Sequence, residues 1–126
     1  MLIVEDNQDS GELLCELIES EGFSARLAHD GISALQEFIS FSPDVIVLDI
    51  GLPGMDGYEI ARRIRRLESG SRTRLIALTG WGRPTDRTLS KQAGFDDHLV
   101  KPVIFSELLR HVGLAFEAVH AKVLTD

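Results

Sequence analysis

Residues 45–48 read VIVL, an apolar run without polar alternation, and Asp49 follows it at once. Strands buried on both faces are continuously apolar in this way, whereas half-exposed strands alternate polar and apolar residues. Strands buried on both faces are typical of parallel sheets that are covered by helices on each side. The run therefore predicts an α/β fold, and it raises the question of why a carboxylate ends the most buried strand.

The rest of the chain repeats the alternation of strand and helix that such a fold requires. Further short runs rich in β-forming residues stand at 2–4, 24–28, 75–78 and 98–100. Between and after these runs, apolar residues recur every three or four positions, as on one face of a helix. The predicted buried helical positions are Leu13, Leu14, Leu17 and Ile18, then Ile32, Leu35, Phe38 and Ile39, then Ile60, Ile64 and Leu67, and finally Phe105, Leu108, Leu109, Val112, Phe116 and Val119. Five strands alternating with five helices predict βαβ units and one parallel sheet.

Helix boundaries are marked by capping and breaking residues. Asp30 predicts the N-cap of the second helix and Pro84 the start of the fourth, while Gly22 and Gly94 stand where the first and fourth helices should end. The fourth helix has Leu89 as its only strongly apolar residue. A helix with so little to bury is a candidate for movement.

Size and composition indicate one domain over residues 1–126 in a soluble cytoplasmic protein. The apolar fraction of 44% is ordinary for a globular core, no apolar run approaches the length of a membrane span, and the first residues do not resemble a signal peptide. Cys15 is the only cysteine of the 126 residues, so an internal disulfide is excluded, which suits a reducing compartment.

The charge balance argues against direct binding of nucleic acid. The chain has 13 basic and 20 acidic residues, a net charge of −7, whereas phosphate contacts need a basic face. One basic cluster stands in the third helix, where the apolar residues take the buried side. Its members Arg62, Arg63, Arg65 and Arg66 are predicted to lie on the solvent side.

Polar side chains stand at the ends of four of the apolar runs. Glu5 and Asp6 follow the first, Asp49 the third, Thr79 the fourth and Lys101 the fifth. The carboxyl ends of parallel strands meet at one edge of the sheet, where ligands bind in open α/β folds. The sequence therefore predicts that three carboxylates, a hydroxyl and an ammonium form one site.

The residue types at this edge indicate a magnesium ion and a phosphoryl group. Two carboxylates about 5 Å apart repel by roughly 3 kcal/mol at an effective dielectric of about 20, so the cluster favours a cation. Oxygen ligands suit Mg²⁺, which would bind Asp6, Asp49 and a backbone carbonyl of the following loop. Thr79 and Lys101 would then surround a phosphoryl group, and Asp49 would accept it as an acyl phosphate.

Four stretches of the chain resemble the receiver domains of two-component response regulators: VEDN at 4–7, VIVLDIGLPGMDGYE at 45–59, LIALTG at 75–80 and LVKP at 99–102. The resemblance implies a flavodoxin-like (βα)₅ three-layer fold with strand order 2-1-3-4-5. It implies phosphoryl transfer, with Mg²⁺, from a phosphohistidine on a histidine kinase or histidine phosphotransfer protein. The sequence of the C-terminal half is most similar to that of receivers of hybrid sensor kinases.

The resemblance also implies roles for single residues. Asp49 takes the phosphoryl group, Asp6 binds Mg²⁺ directly, Glu5 helps through water, and Gly51 contributes its backbone carbonyl. In this family Lys101 contacts the phosphate and is followed by a cis peptide bond to Pro102.

A conformational switch is implied as well, with two departures from the usual pattern. Thr79 is the switch hydroxyl, and the face made by helix four, strand five and helix five repacks and is a possible homodimer surface. The aromatic switch position on strand five falls on His98, which either switches in a pH-dependent way or merely fills space. Trp81 either shields the acyl phosphate or packs locally.

Two other functions remain open from the sequence. A pseudo-receiver would keep the pocket as a silent binding module. A magnesium-dependent phosphatase of the haloacid-dehalogenase type also uses a strand-end aspartate, but it requires a second aspartate where this chain has Gly51. We expect a regulatory domain that assists its own phosphorylation and dephosphorylation rather than an enzyme.

Overall fold

The computed structural model describes residues 1–52, 54–67, 72–80 and 84–113, and for residues 84–87 it describes the backbone alone. Five parallel strands form one sheet in the order β2-β1-β3-β4-β5. The strands are β1 (Leu2–Val4), β2 (Arg26–Ala28), β3 (Val45–Asp49), β4 (Arg74–Thr79) and β5 (Asp97–Val100). The predicted fold class and strand order are confirmed.

Helices connect the strands in the predicted order. They are α1 (Gln8–Ser20), α2 (Gly31–Phe41), α3 (Gly57–Arg66) and α4 (Pro84–Ala93), and residues 105–113 form the described part of α5. Because each strand alternates its side chains between the two faces, the sheet carries two separate cores. The predicted helical positions Phe116 and Val119, together with Trp81, lie outside the described residues.

Each face of the sheet buries its own set of side chains. One core joins the sheet to α2, α3 and α4 and includes Phe38, Leu48 and Ile60. The other joins it to α1 and α5 and includes Ile18 and Leu108. All four residues of the run 45–48 are buried, as their continuous apolarity predicts.

Several predicted helix boundaries are confirmed. The Asp30 side chain caps α2 by accepting a hydrogen bond from the Ser33 backbone N–H at 2.7 Å. Gly22 and Gly94 follow α1 and α4 with φ angles of 94° and 105°, which glycine adopts without strain. The N-cap of α1 is Asn7.

The apolar periodicity was wrong about the orientation of some side chains. Leu13, Ile32 and Ile39 were predicted on buried faces, but they are 56%, 65% and 67% exposed. At α1 the reason is a close approach to the sheet, because a Cβ on Gly11 would lie 2.5 Å from the Leu27 side chain. The buried stripe is therefore narrow, and the apolar residues beside it stay in water.

No helix within the described ranges combines the length and apolarity needed to cross a membrane.

Candidate functional site

The strand order brings the predicted site residues to one edge of the sheet. Glu5 follows β1 directly and Lys101 follows β5, while Asp49 and Thr79 are the last residues of β3 and β4. The strands β1, β3, β4 and β5 are consecutive neighbours. The pairing between neighbouring strands continues to these ends, since Asp49 pairs with Leu78 and Thr79 pairs with Val100. All five predicted residues, Asp6 included, therefore start from adjacent strand ends.

Three carboxylates converge at this edge. One oxygen each of Glu5, Asp6 and Asp49 lies within 4.8 Å of the others. Glu5 and Asp49 are only 4% and 6% exposed, whereas Asp6 is exposed to solvent. The cluster is thus built on two buried acids and is open on one side. Oxygen donors at this spacing fit a hard divalent cation such as Mg²⁺.

Lys101 provides the positive charge beside two of the acids. Its Nζ donates to Asp49 Oδ2 at 2.6 Å and to Glu5 Oε2 at 3.3 Å. Its backbone N–H donates to the Thr79 carbonyl at 2.7 Å, which fixes the start of the loop after β5. The next peptide bond, to Pro102, is cis, in agreement with the resemblance.

The pKa shifts show how these charges balance. Burial raises the pKa of Glu5, and the charge of Asp49 adds to the rise, while the Asn7 N–H and Lys101 offset only part of it. Burial alone would lower the pKa of Lys101, but the hydrogen bond and charge of Asp49, together with Glu5, raise it above its ordinary value. Because burial, the largest cause, keeps the pKa of Glu5 raised despite the Lys101 ammonium, the residues present fit a second cation.

Asn7 is a residue of the site that the sequence analysis missed. Its backbone N–H donates to Glu5 Oε1 at 3.2 Å, and its side-chain oxygen accepts the Ser10 N–H at 2.9 Å. Asn7 therefore holds the Glu5 carboxylate and caps α1 at the same time. Asparagine is a preferred N-cap, but Asp6 beside it carries the same signal.

Both oxygens of the Asp49 carboxylate are hydrogen-bonded. The Gly51 backbone N–H donates to Oδ1 at 2.9 Å, and Lys101 donates to Oδ2. Two groups from different segments thus fix the carboxylate at the end of β3. The predicted role of the Gly51 carbonyl as a metal ligand stays a prediction.

The two predicted switch residues lie on the neighbouring strands. Thr79 is 6% exposed at the end of β4. His98, at the middle of β5, places Nδ1 3.2 Å from Ser90 Oγ of α4. Ser90 is itself only 2% exposed. This contact links β5 to α4, although switching by either residue stays a prediction.

Known proteins are similar in sequence to this chain along most of its length. The sequence model of the response regulator receiver domain matches residues 1–113. An uncharacterised 14.6 kDa protein of the sodA1 3′ region of Leptolyngbya boryana is 38% identical over 112 residues, which cover 89% of this chain and 86% of that protein. The response regulator MprA of Mycobacterium avium is 37% identical over 109 residues, which cover 86% of this chain but 47% of that regulator. The chain thus spans about half the length of MprA.

Solved structures agree with the sequence comparison. The chemotaxis protein CheY4 of Vibrio cholerae has a TM-score of 0.86 at 26% identity, covering 90% of this chain and 95% of that one. The receiver domain of sensor histidine kinase PA1611 of Pseudomonas aeruginosa PAO1, solved with a magnesium ion in its active site cleft, has a TM-score of 0.79 at 38% identity. That match covers 86% of this chain and 89% of that one. The chain belongs to the response regulator receiver domain family.

Proposed function

We propose that this chain accepts a phosphoryl group on Asp49 from a phosphohistidine of a histidine kinase or histidine phosphotransfer protein. The supporting observation is the convergence of the Glu5, Asp6 and Asp49 carboxylates within 4.8 Å, with the Lys101 ammonium 2.6 Å from Asp49. The receiver domain of the sensor histidine kinase PA1611, which is 38% identical, was solved with a magnesium ion in its active site cleft. We propose that residues 1–126 act as one such domain.

The transfer step follows from the bonds that Asp49 already makes. An Asp49 oxygen attacks phosphorus, the phosphorus–nitrogen bond of phosphohistidine breaks, and the imidazole leaves and takes up a proton. The attacking oxygen must give up its hydrogen bond, to Gly51 N–H at Oδ1 or to Lys101 at Oδ2. Backbone N–H groups are fixed, whereas a lysine stem is flexible. Oδ2 is therefore the attacking oxygen, and Lys101 follows the new charge onto the phosphoryl group.

The metal would be held by the acid cluster. Asp6, Asp49 and the Gly51 carbonyl are the direct ligands that we propose, and Glu5 would act through water. Bound there, Mg²⁺ would neutralise the acids and the charge of the transferred phosphoryl oxygens. Glu5 keeps its place through the Asn7 N–H at 3.2 Å, so its carboxylate is fixed independently of Lys101.

Phosphorylation would be read out by the face of α4, β5 and α5. It adds roughly two negative charges beside Thr79 and Lys101, which can move toward them. The His98–Ser90 contact at 3.2 Å then transmits the movement from β5 to α4. A free-energy difference of a few kcal/mol between the resting and the switched conformation is sufficient for phosphorylation to shift the population from one to the other. Exposed Leu89, Val100 and Ile104 on this face favour it as the homodimer surface.

The proposal is tested with acetyl phosphate, Mg²⁺ and intact-protein mass spectrometry. The wild-type chain should gain one phosphoryl group, and D49N should gain none. D56N is the matched control, because Asp56 lies in the same loop, caps α3 through Glu59 N–H at 2.9 Å, and can be replaced by asparagine as a cap. A pseudo-receiver would stay unlabelled in all three, and a phosphatase would turn over an added phosphate ester.

The switch is tested separately by amide NMR. We expect the resonances of residues 84–100 to shift on phosphorylation, with the largest changes around Ser90 and His98. S90A should reduce the shifts of α4 while leaving the rate of labelling unchanged. Superimposable spectra of the free and phosphorylated chain would contradict a switch on this face.

Whether this receiver domain belongs to a hybrid sensor kinase or to a response regulator stays a proposal with two alternatives. The 38% identity with the receiver of a sensor histidine kinase favours the predicted hybrid kinase. The 37% identity with MprA favours a response regulator. The flanking coding sequence distinguishes them. The cytoplasmic location stays a prediction from sequence.

A further inference from the structure

We propose that Gly57 is a positioning residue for Asp49. Because Gly57 has no Cβ, the first turn of α3 rests directly on the backbone of Asp49 and Ile50, and this contact sets where the Asp49 carboxylate lies. The inference rests on the proposed function, since it assigns Gly57 to the same reaction.

The contact is one of backbone with backbone. A Cβ built on Gly57 would lie 2.6 Å from Ile50 Cα, 3.0 Å from the Asp49 carbonyl oxygen and 3.3 Å from Ile50 N. The Gly57 N–H also donates to the Ile50 carbonyl at 3.1 Å. None of these atoms belongs to a side chain that could rotate away, so an added methyl group must displace main chain.

The other two glycines of the loop have different reasons. A Cβ on Gly51 would meet Asp49 Oδ1 at an ordinary 3.5 Å, and one on Gly54 would meet nothing within 4 Å. Gly54 instead has a φ of 81°, which other residues rarely adopt. Of these three glycines, it is Gly57 whose missing side chain faces the backbone that carries Asp49.

The strand end, rather than the helix, would move if this contact were lost. Helix α3 is anchored by Ile60, Ala61 and Ile64, all fully buried in the core. Ile50 lies one residue beyond β3, where its N–H donates to the Leu78 carbonyl at 2.9 Å. Repacking three buried side chains costs more than adjusting one loop residue. A methyl group at Gly57 therefore displaces Ile50, and Asp49 with it.

The size of that displacement matters for the reaction. Moving the contact from 2.6 Å to an ordinary 3.4 Å requires 0.8 Å. The Asp49 carboxylate is held by bonds of 2.9 Å and 2.6 Å, to Gly51 and Lys101. A shift of this size breaks or lengthens one of them, and a misplacement of about 1 Å can slow a reaction by about 100-fold.

The experiment compares G57A with G11A. Gly11 is a buried glycine in the first turn of α1, but its added Cβ would meet the movable Leu27 side chain at 2.5 Å. Both variants should lower the melting temperature. G57A should also slow labelling of Asp49 by acetyl phosphate at saturating Mg²⁺ by about tenfold or more. It should shift the Gly51 amide resonance, which reports on Asp49 Oδ1, whereas G11A should leave both readouts near those of the wild type.

Four outcomes test the inference or the proposed function. Equal labelling rates and Gly51 shifts in G57A and G11A would overturn the inference. Failure of G57A to fold, even with a stabilising osmolyte in which G11A folds, would also overturn it by showing that the contact serves the fold. An unlabelled wild type would contradict the proposed function instead. The Asp49–Gly51 and Asp49–Lys101 distances in a crystal structure of G57A would then decide the inference, and unchanged values of 2.9 Å and 2.6 Å would overturn it.

Discussion

The Lys101 ammonium lies 2.6 Å from the carboxylate of Asp49, although the two residues are 52 positions apart in the chain. Lys101 comes from the loop after the edge strand β5 and Asp49 from the end of the central strand β3. The sheet brings them together because parallel strands all end at the same edge. The pair sets the charge balance of the site, and the first two predictions concern this balance.

Replacing Lys101 by methionine should separate metal binding from phosphoryl transfer. K101M removes the ammonium that neutralises Glu5 and Asp49, so Mg²⁺ should bind severalfold more tightly because it alone relieves the repulsion. Labelling by acetyl phosphate should become slower, since no ammonium follows the transferred charge. Titration calorimetry and intact-mass kinetics measure the two effects, and K91M on the exposed side of α4 is the control. Weaker Mg²⁺ binding by K101M would contradict this charge balance.

Glu5 should make the metal-free chain less stable at neutral pH. Burial and Asp49 raise the pKa of Glu5 above 4.5, so the folded chain holds this proton more tightly than the unfolded chain. That contribution to stability is complete below pH 4.5 and is lost as the pH rises through the folded pKa. E5Q, which stays neutral, should therefore melt higher than the wild type at pH 7 without Mg²⁺.

A pH series checks the sign of this effect. The advantage of E5Q should shrink as the pH falls toward 4.5, and Mg²⁺ should stabilise the wild type more than E5Q. E16Q, at an exposed position of α1, is the control and should follow the wild type throughout. An E5Q variant that melts lower than the wild type at neutral pH would show that the Lys101 and Asn7 contacts outweigh burial.

Arg65 should stabilise the junction between α3 and the turn after α4. Its guanidinium donates to the Gly94 carbonyl at 2.6 Å, to the Thr73 carbonyl at 2.6 Å and to Asp96 Oδ2 at 2.8 Å. R65M should lower the free energy of unfolding by about 2 kcal/mol, because hydrogen bonds to a charged donor are lost. Urea unfolding measures it, with R66M at an exposed position of the same helix as control. Equal losses of unfolding free energy in R65M and R66M would contradict a stabilising role for these Arg65 hydrogen bonds.

Phe38 should be a main support of the core beneath α2. It is fully buried, whereas Ile39 beside it is 67% exposed. F38A should lower the free energy of unfolding by about 3–5 kcal/mol, since it leaves a large cavity. I39A should change it by less than about 0.5 kcal/mol. Denaturant curves for both variants test the assignment of the two faces, and a comparable loss in I39A would contradict it.

The sequence was sufficient for the fold and for the edge of the sheet where the site lies. Apolar runs without intervening polar residues identify strands that are buried on both faces. In a parallel sheet, the first polar residue after such a run lies at the carboxyl end of its strand. For this reason Glu5, Asp49, Thr79 and Lys101 could be found without coordinates. At Asp49 and Thr79 the strand pairing extends one residue further than the apolar run, because backbone pairing does not require an apolar side chain.

Contacts to main-chain atoms could not be found in this way. Arg65 was predicted as part of a solvated basic cluster, but it binds the carbonyl of Gly94, 29 positions away, and no residue type marks a carbonyl acceptor. The same holds for Gly57, whose role depends on the backbone of Ile50. Exposure of Ile32 and Ile39 was missed because periodicity gives the direction of a stripe but not its width.

The central claim is that Asp49 carries the phosphoryl group, and site mapping tests it most directly. The chain is incubated with acetyl phosphate and Mg²⁺, and borohydride then reduces any aspartyl phosphate to homoserine. Peptide mass spectrometry locates the converted residue. We predict homoserine at position 49 and unmodified aspartate at positions 6 and 56. Homoserine at either of those positions with Asp49 intact, or no conversion at all, would contradict the account.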